Sequence, residues 1–292
     1  MRPRRLLLSM LVVLAAMSCK KESPDQPAAG ASVSNRIEKP LLWQATSPEG
    51  KVVYLLGTIH QGVDAASKLP DGVWKRLEAA DIFAMETDIS DPALLSAIQR
   101  TDGSKLRDEL GPAVWSKLEE LLGSTMAAGL DSMKASSAAG LVMTQGLPMT
   151  APMDLVLQQK ARSLGKTIAY LEEPRFQIDL LDRYLNAEAL IHALDNMDEI
   201  IATNRGLLKA YLAGDAEAMA ATTLDPGQWE SYGDDALEQM LFARNRNWVP
   251  EIEKLMAQGT PFVAVGGGHL VGEKSVLELL AAKGYRIERL VK

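Results

Sequence analysis

Apolar residues fall along this chain in two rhythms. In "VVYLLG", "DIFAM", "TIAYL", "PFVAV" and "YRIERLV" they run on or alternate, as in strands. Between these stretches they return every three or four residues, as in helices with one buried face. "LLWQATSPEGKVVYLLGTIH" predicts a hairpin turning at "SPEG". "LPDGVWKRLEAA" predicts a helix with Asp71 near its start and Val73, Leu77 and Ala80 on one face. "DIFAMETD" reads as a short strand ending on Glu86, and residues 91 to 140 as helical, broken at Gly103, Gly111 and Gly123. "MDLVLQQKARSLG" is a helix stopped by Gly165, and "TIAYLEE" a strand ending on Glu172 and Glu173. Pro174 opens a helical region to about Gly214. A helix from about Asp235 to Trp248 follows, then a separate one started by Pro250, since proline suits a first helical turn. "PFVAV" is a strand, "EKSVLELLAAKG" a helix, and "YRIERLV" the closing strand.

Strands alternate with helices at both ends, a helix-rich stretch lies between them, and no repeat of 20 to 50 residues interrupts the order. The expected fold is α/β (α+β mixed): a central mixed β-sheet flanked by helices, with a large helical insertion, in a single domain over residues 40–292.

The first residues carry a different pattern. "MRPRRLLLSMLVVLAAMSC" has a basic start, an apolar stretch too short for a comfortable membrane span, and small residues before Cys19, the only cysteine. Residues 1–18 read as a lipoprotein signal peptide and Cys19 as the lipidation site, despite an imperfect lipobox in which Ala16 and Met17 stand where leucine and a small residue are more usual. Residues 19–39, rich in Pro, Ala, Gly and Ser, read as a flexible tether. Lys20 resembles an outer-membrane sorting address, so the expected location is the bacterial cell envelope, lipid-anchored at the outer membrane and facing the periplasm. Losing Arg2, Arg4 and Arg5 with the signal would take the formal charge from −7 to −10. An acidic chain has no basic stripe for phosphates, which excludes nucleic acid as its partner.

Candidate chemistry gathers at strand ends. Four of them close on polar residues: His60, Glu86, Glu172 with Glu173, and His269. Ligands of α/β sheets bind beyond the carboxyl ends of the strands, so parallel strands would bring these residues together. Two histidines plus carboxylate are a ligand set for a divalent metal such as Mn, Co, Fe or Zn, and the glycines before each histidine permit sharp turns. Each residue also has a plainer reading: a histidine may cap a turn, and acids after strands often cap the next helix. In "DDALEQMLFARNRNWV", Arg244 falls on the stripe of Leu237, Met240, Leu241 and Trp248, with Asn245 four after Leu241. An arginine on a buried face needs an anion or carboxylate, so Arg244 is either catalytic or the ion-pair partner of a strand-end glutamate. Gln177 lies similarly with Leu180, Leu181 and Tyr184. His192 reads as an ordinary helix-surface histidine, and the methionines as core packing.

"LLGTIHQG", "METD", "MDLVLQQKARSLGKTIAYLEE" followed by Gln177, "ARNRNW" and "FVAVGGGHLVGEKSVLELLAAKGYRIERL" together resemble the TraB/GumN family, which includes Tiki-type proteases. The resemblance covers most of residues 41 to 292 and rests on paired Gly-x-x-His motifs. It implies a fold related to erythromycin-esterase and ChaN-like proteins, and metal-dependent proteolysis in Tiki-type members. It carries over His60 and His269 as the motif histidines, Glu86 and Glu172 as the acidic positions, and Arg244 as the arginine. Two readings follow. One is a metal-dependent, peptidase-like hydrolase: His60 and His269 hold the metal, Glu86 or Glu172 acts as base, Arg244 steadies the oxyanion, and the substrate is a peptide or protein. The other is a non-catalytic lipoprotein that binds metal, haem or a small ligand.

Overall fold

The computed structural model describes residues 36–88 and 90–291. The expected signal peptide, Cys19 and most of the tether lie outside the described residues. Among those described, six strands form one sheet: β1 (Leu42–Thr46), β2 (Val52–Thr58), β3 (Ile82–Met85), β4 (Thr167–Tyr170), β5 (Pro261–Gly266) and β6 (Arg286–Arg289). Their order is β4-β3-β5-β2-β1-β6. β2, β5, β3 and β4 run parallel, and β1 pairs antiparallel with β2 and β6, giving the mixed sheet expected.

The β1–β2 hairpin turns where "SPEG" predicts it. The Ser47 hydroxyl accepts from the amides of Glu49 and Lys51, and Gly50 adopts φ 84°. Every residue of β3 and β5 is buried, because helices cover both faces of the central strands. Phe83 and Phe262 stack there with ring centroids 6.3 Å apart. The edge strands β4 and β6 are partly exposed and carry more polar residues. Helix Asp71–Ala79 buries Val73 and Leu77 against this layer, as its spacing predicts.

The insertion has its own core, built on Leu106, Trp115, Leu118, Leu181, Leu190 and neighbours. Its breaks fall at the expected glycines: Gly111 (φ 73°) interrupts Leu106–Leu122 just before Pro112, and Gly123 (φ 83°) separates it from Ser124–Leu130. The region from Pro174 is three helices, Pro174–Tyr184, Ala187–Asp195 and Met197–Ala213, closed by a left-handed Gly214.

Three expectations change. β4 stops at Tyr170, leaving Glu172 and Glu173 in the turn beyond it. Pro250 does not start a helix but lies within Ala243–Gln258. Its missing amide would have bonded the carbonyl of Arg246, and both residues lie on the exposed face of the helix, where losing that bond costs least. Finally, Glu238–Phe242 is a π-helical turn rather than regular helix.

Candidate functional site

The carboxyl ends of β2, β3 and β5 deliver His60, Glu86 and His269 to one buried cluster, and the turn after β4 adds Glu172. His60 lies in the left-handed region at φ 56°, sparsely populated for a residue with a side chain and a mark of functional positions. Its carbonyl accepts from the Met153 amide (2.7 Å), and its Nδ1 lies 2.8 Å from Asp154 Oδ2. Asp154 sits in the first turn of helix Met153–Ser163, whose dipole favours a negative charge there. Its other oxygen accepts from Thr58 Oγ1 at 3.0 Å. The carboxylate therefore fixes the imidazole from behind and turns Nε2 inward. That Nε2 is buried without a hydrogen-bond partner among the described residues, 3.9 Å from Glu86 Oε1.

Glycine keeps this gap open. A Cβ on Gly266 would lie 2.9 Å from His60 Nε2 and 3.3 Å from Glu86 Oε1, while its amide donates to the same Glu86 oxygen at 2.8 Å. The first glycine of "GGGH" is thus the floor of an atom-sized cradle. The other Glu86 oxygen accepts from Gln177 Nε2 (3.1 Å) and Arg244 Nη2 (2.7 Å).

Arg244 is fully buried and uses all five of its N–H donors. Nε donates to Glu172 Oε2 (2.9 Å), and Nη2 to Glu172 Oε1 (2.6 Å) and to Glu86. Nη1 donates to the carbonyl of Met240 in the π turn (3.2 Å) and to His269 Nε2 (3.1 Å). Such turns recur at functional sites; here one presents its Met240 carbonyl to the guanidinium. Trp248 packs under the guanidinium (4.6 Å to the ring centroid) and donates its indole N–H to Glu172 (3.0 Å).

His269 is fixed by Asn245. The Asn245 amide nitrogen donates to the carbonyl of Lys274, so its oxygen faces His269 Nδ1 at 2.6 Å and selects the tautomer with the proton on Nδ1. His269 Nε2 is left as an acceptor, which Arg244 fills.

The charges follow from this geometry. Burial pushes His60 down, but the charge and hydrogen bond of Asp154, with Glu86 beyond, outweigh it and raise His60 to about 9. Burial and the adjacent Arg244 hold His269 neutral, at about 3. Glu86 is pushed up by burial and brought down further by Arg244 and the two histidines, to about 2. Burial raises Glu172 despite its bonds to Arg244.

All five anticipated site residues, His60, Glu86, Glu172, Arg244 and His269, therefore meet, as do Gln177 and Asn245. Glu173 is exposed and its side chain takes no part in the hydrogen bonds of the cluster, and His192 lies on helix Ala187–Asp195, outside it. Asp154 and Thr58 are additions that sequence reasoning missed; the available signal for Asp154 was an acid opening a helix after Pro152.

The donor set answers the metal expectation in part. No three His, Cys, Asp or Glu side chains among the described residues are arranged to hold a metal ion, and Arg244 occupies His269 Nε2. His60 Nε2, without a hydrogen-bond partner among the described residues, and Glu86 Oε1, which accepts from the Gly266 amide, face each other across the Gly266 cradle; with His60 raised to about 9, a cation would bind there by displacing the imidazole proton.

The TraB/PrgY/gumN family model matches residues 41–289. The metalloprotease TIKI homolog of Amphimedon queenslandica is 26% identical over 175 residues, which make up 51% of this chain and 34% of that protein. This chain thus matches about a third of the relative's length. No solved structure matches it.

Proposed function

The chain belongs to the TraB/PrgY/gumN family, and from that premise we propose that it is a peptidase-like hydrolase dependent on a divalent metal. The observation that carries this reading is the inward Nε2 of His60: buried, unpartnered, and backed by Asp154 on the opposite nitrogen. A carboxylate behind an imidazole is the support that metal-ligating and proton-moving histidines share. His60 and Glu86 would hold the ion, while His269, its Nε2 taken by Arg244, would stand beside them. Bound there, a divalent ion polarises a carbonyl and acidifies water.

The remaining roles belong to side chains already engaged. Glu86 brings negative charge to the cradle, kept ionised by Arg244. Both oxygens of Glu172 are taken by Arg244 and one also by Trp248, which suits a residue that positions Arg244 better than a general base. Arg244 has no N–H to spare for an oxyanion, so its work is to hold Glu86 ionised and both glutamates in place. With this reading goes the envelope location: an acyl chain on Cys19 would anchor the domain at the outer membrane, where it would meet peptide or protein substrates.

One observation favours the non-catalytic reading. A buried arginine that satisfies two glutamates and a histidine is also how an inert polar core would look. The deciding experiment is the metal content, by mass spectrometry, of protein purified without chelator, wild type beside His60→Ala. It is paired with a peptide-library digest using the metal found. Near one Mn, Co, Fe or Zn per chain, lost in the variant together with cleavage, is the expected result. No metal in either protein after reloading with each ion would overturn metal dependence. Metal without cleavage of any peptide would leave the binding lipoprotein.

A further inference from the structure

A second feature adjoins His60 and has no part in the charge network. Between the end of β2 and the helical insertion lies a partly enclosed cavity of about 60 Å³. His60 forms part of its wall, so whatever fills it lies against the reacting centre. The rest of the wall is mostly apolar and comes from separate segments: Met143 and Leu147 at the end of helix Ala135–Met143 and just after it, Met219 and Thr223 on Ala216–Thr223, Trp229, and Met240 in the π turn. Met143, Met219, Thr223, Trp229 and Met240 are themselves buried. Thr223 is fully buried, and its hydroxyl has no hydrogen-bond partner among the described residues. A buried hydroxyl in that condition carries a desolvation cost that a ligand's polar group relieves.

We propose that this cavity is the specificity pocket of the site, receiving the end of an aliphatic side chain such as leucine or methionine from a peptide substrate, at a position flanking the cleaved bond. The inference rests on the hydrolase reading above. Size and chemistry choose the occupant. The volume exceeds the roughly 10–15 Å³ that one water needs and falls short of the ~150 Å³ cavity that takes a benzene ring. An indole is too large for it and a glycine leaves it empty. Apart from His60, no ionisable acid or base lines it except the phenol of Tyr232, so a charged side chain would be desolvated without a partner. Three methionines line it, and their flexible thioethers adapt to straight and branched chains alike. Thr223 offers one polar contact for the peptide backbone that carries the side chain.

The test compares kcat/KM for peptides that differ in one residue, Gly, Leu, Met, Trp or Asp, on each side of the cleaved bond. At one of the two positions, Leu and Met should exceed Gly at least tenfold, with Trp and Asp no better than Gly. Met143→Phe, which fills the pocket, should bring the Leu-to-Gly ratio to within about threefold. Leu147→Phe, at a half-exposed part of the wall, makes the same test if Met143→Phe does not fold. Rates within twofold across the series at both positions, or a filled pocket that keeps the full preference, would overturn the proposal.

If no peptide is cleaved at all, the hydrolase reading fails and the pocket is judged by binding. N-acetyl-leucinamide should change the tryptophan fluorescence of the wild type in a saturable way that Trp229→Phe abolishes, while N-acetylglycinamide should not. Equal responses to the two, or none, would overturn the pocket as well.

Discussion

At the scale of single residues, the site depends on an atom that is missing. Gly266 has no side chain, and any side chain there would enter the space between His60 Nε2 and Glu86 Oε1. Gly266→Ala should therefore fold with a loss of about 1–3 kcal/mol from overpacking, and should lose metal binding and turnover altogether. Gly267→Ala is the control. Its added methyl would meet the end of the flexible Met219 side chain at 3.0 Å, and Thr58 O and Leu41 Cδ1 only at 3.3 and 3.4 Å. Denaturant midpoints and metal titration of the two variants make the comparison; equal metal affinity in both would show that the cradle is not the binding place. Both glycines were legible in the sequence as turn formers before a histidine, but not as different from one another. That difference comes from what crosses the strand end, namely His60 carried in from β2. Asp154 was hidden for the same reason: it lies 94 residues from its partner His60, and nothing in "PMDLVLQQ" distinguishes an acid that serves the helix dipole from one that also grips an imidazole.

At the scale of elements, strand ends were the most readable feature, because a run of apolar residues stopping at a polar one marks where a buried strand leaves the core. The helix carrying Arg244 was only half readable. Its apolar stripe correctly put Arg244 and Asn245 on the buried face, but regular spacing gave no sign of the π turn before it or of the helix running through Pro250. Backbone bonds decide those features, and side-chain periodicity does not report them. The stripe's consequence can be measured. Removing Arg244 would leave Glu86 and Glu172 buried with no cation between them. Arg244→Met should cost roughly 3–5 kcal/mol, as when one partner of a buried pair is deleted. For a chain of this size that is a drop in Tm of about 10 °C. Arg244→Lys restores the charge, but its three donors cannot serve the five acceptor contacts that the guanidinium serves, so it should recover only part of the loss. Thermal unfolding of the three proteins checks this. A Lys variant as stable as wild type would mean that charge alone, and not the fork of donors, holds the cluster.

At the scale of the whole molecule, two hydrophobic cores, one around the sheet and one within the insertion, meet where the site lies. Composition and strand–helix order were enough to anticipate the sheet and the helices inserted in it, but not what joins them. The joints are polar and specific. Gln177, on the insertion helix Pro174–Tyr184, donates to Glu86 at the end of β3, and Tyr211, on Met197–Ala213, donates its hydroxyl to the carbonyl of Gly57 in β2 at 2.9 Å. Met240 belongs to the insertion core, yet its carbonyl holds Arg244, which pairs with both strand-end glutamates. Breaking the insertion away would thus strand buried donors and acceptors on both sides, each costing about 1–3 kcal/mol, so the two cores should unfold together. The tryptophans give a way to see it. Trp43 packs in the sheet core, Trp115 and Trp229 in the insertion, and Trp248 under Arg244. In urea, single-tryptophan variants reporting from each place should give coincident transitions, matching far-ultraviolet circular dichroism. Tyr211→Phe, which leaves the Gly57 carbonyl without its donor, should lower the common midpoint without splitting it. An insertion transition that comes first, with Trp43 still native, would divide residues 40–292 into two folding units, and would make the site a seam between domains instead of the centre of one.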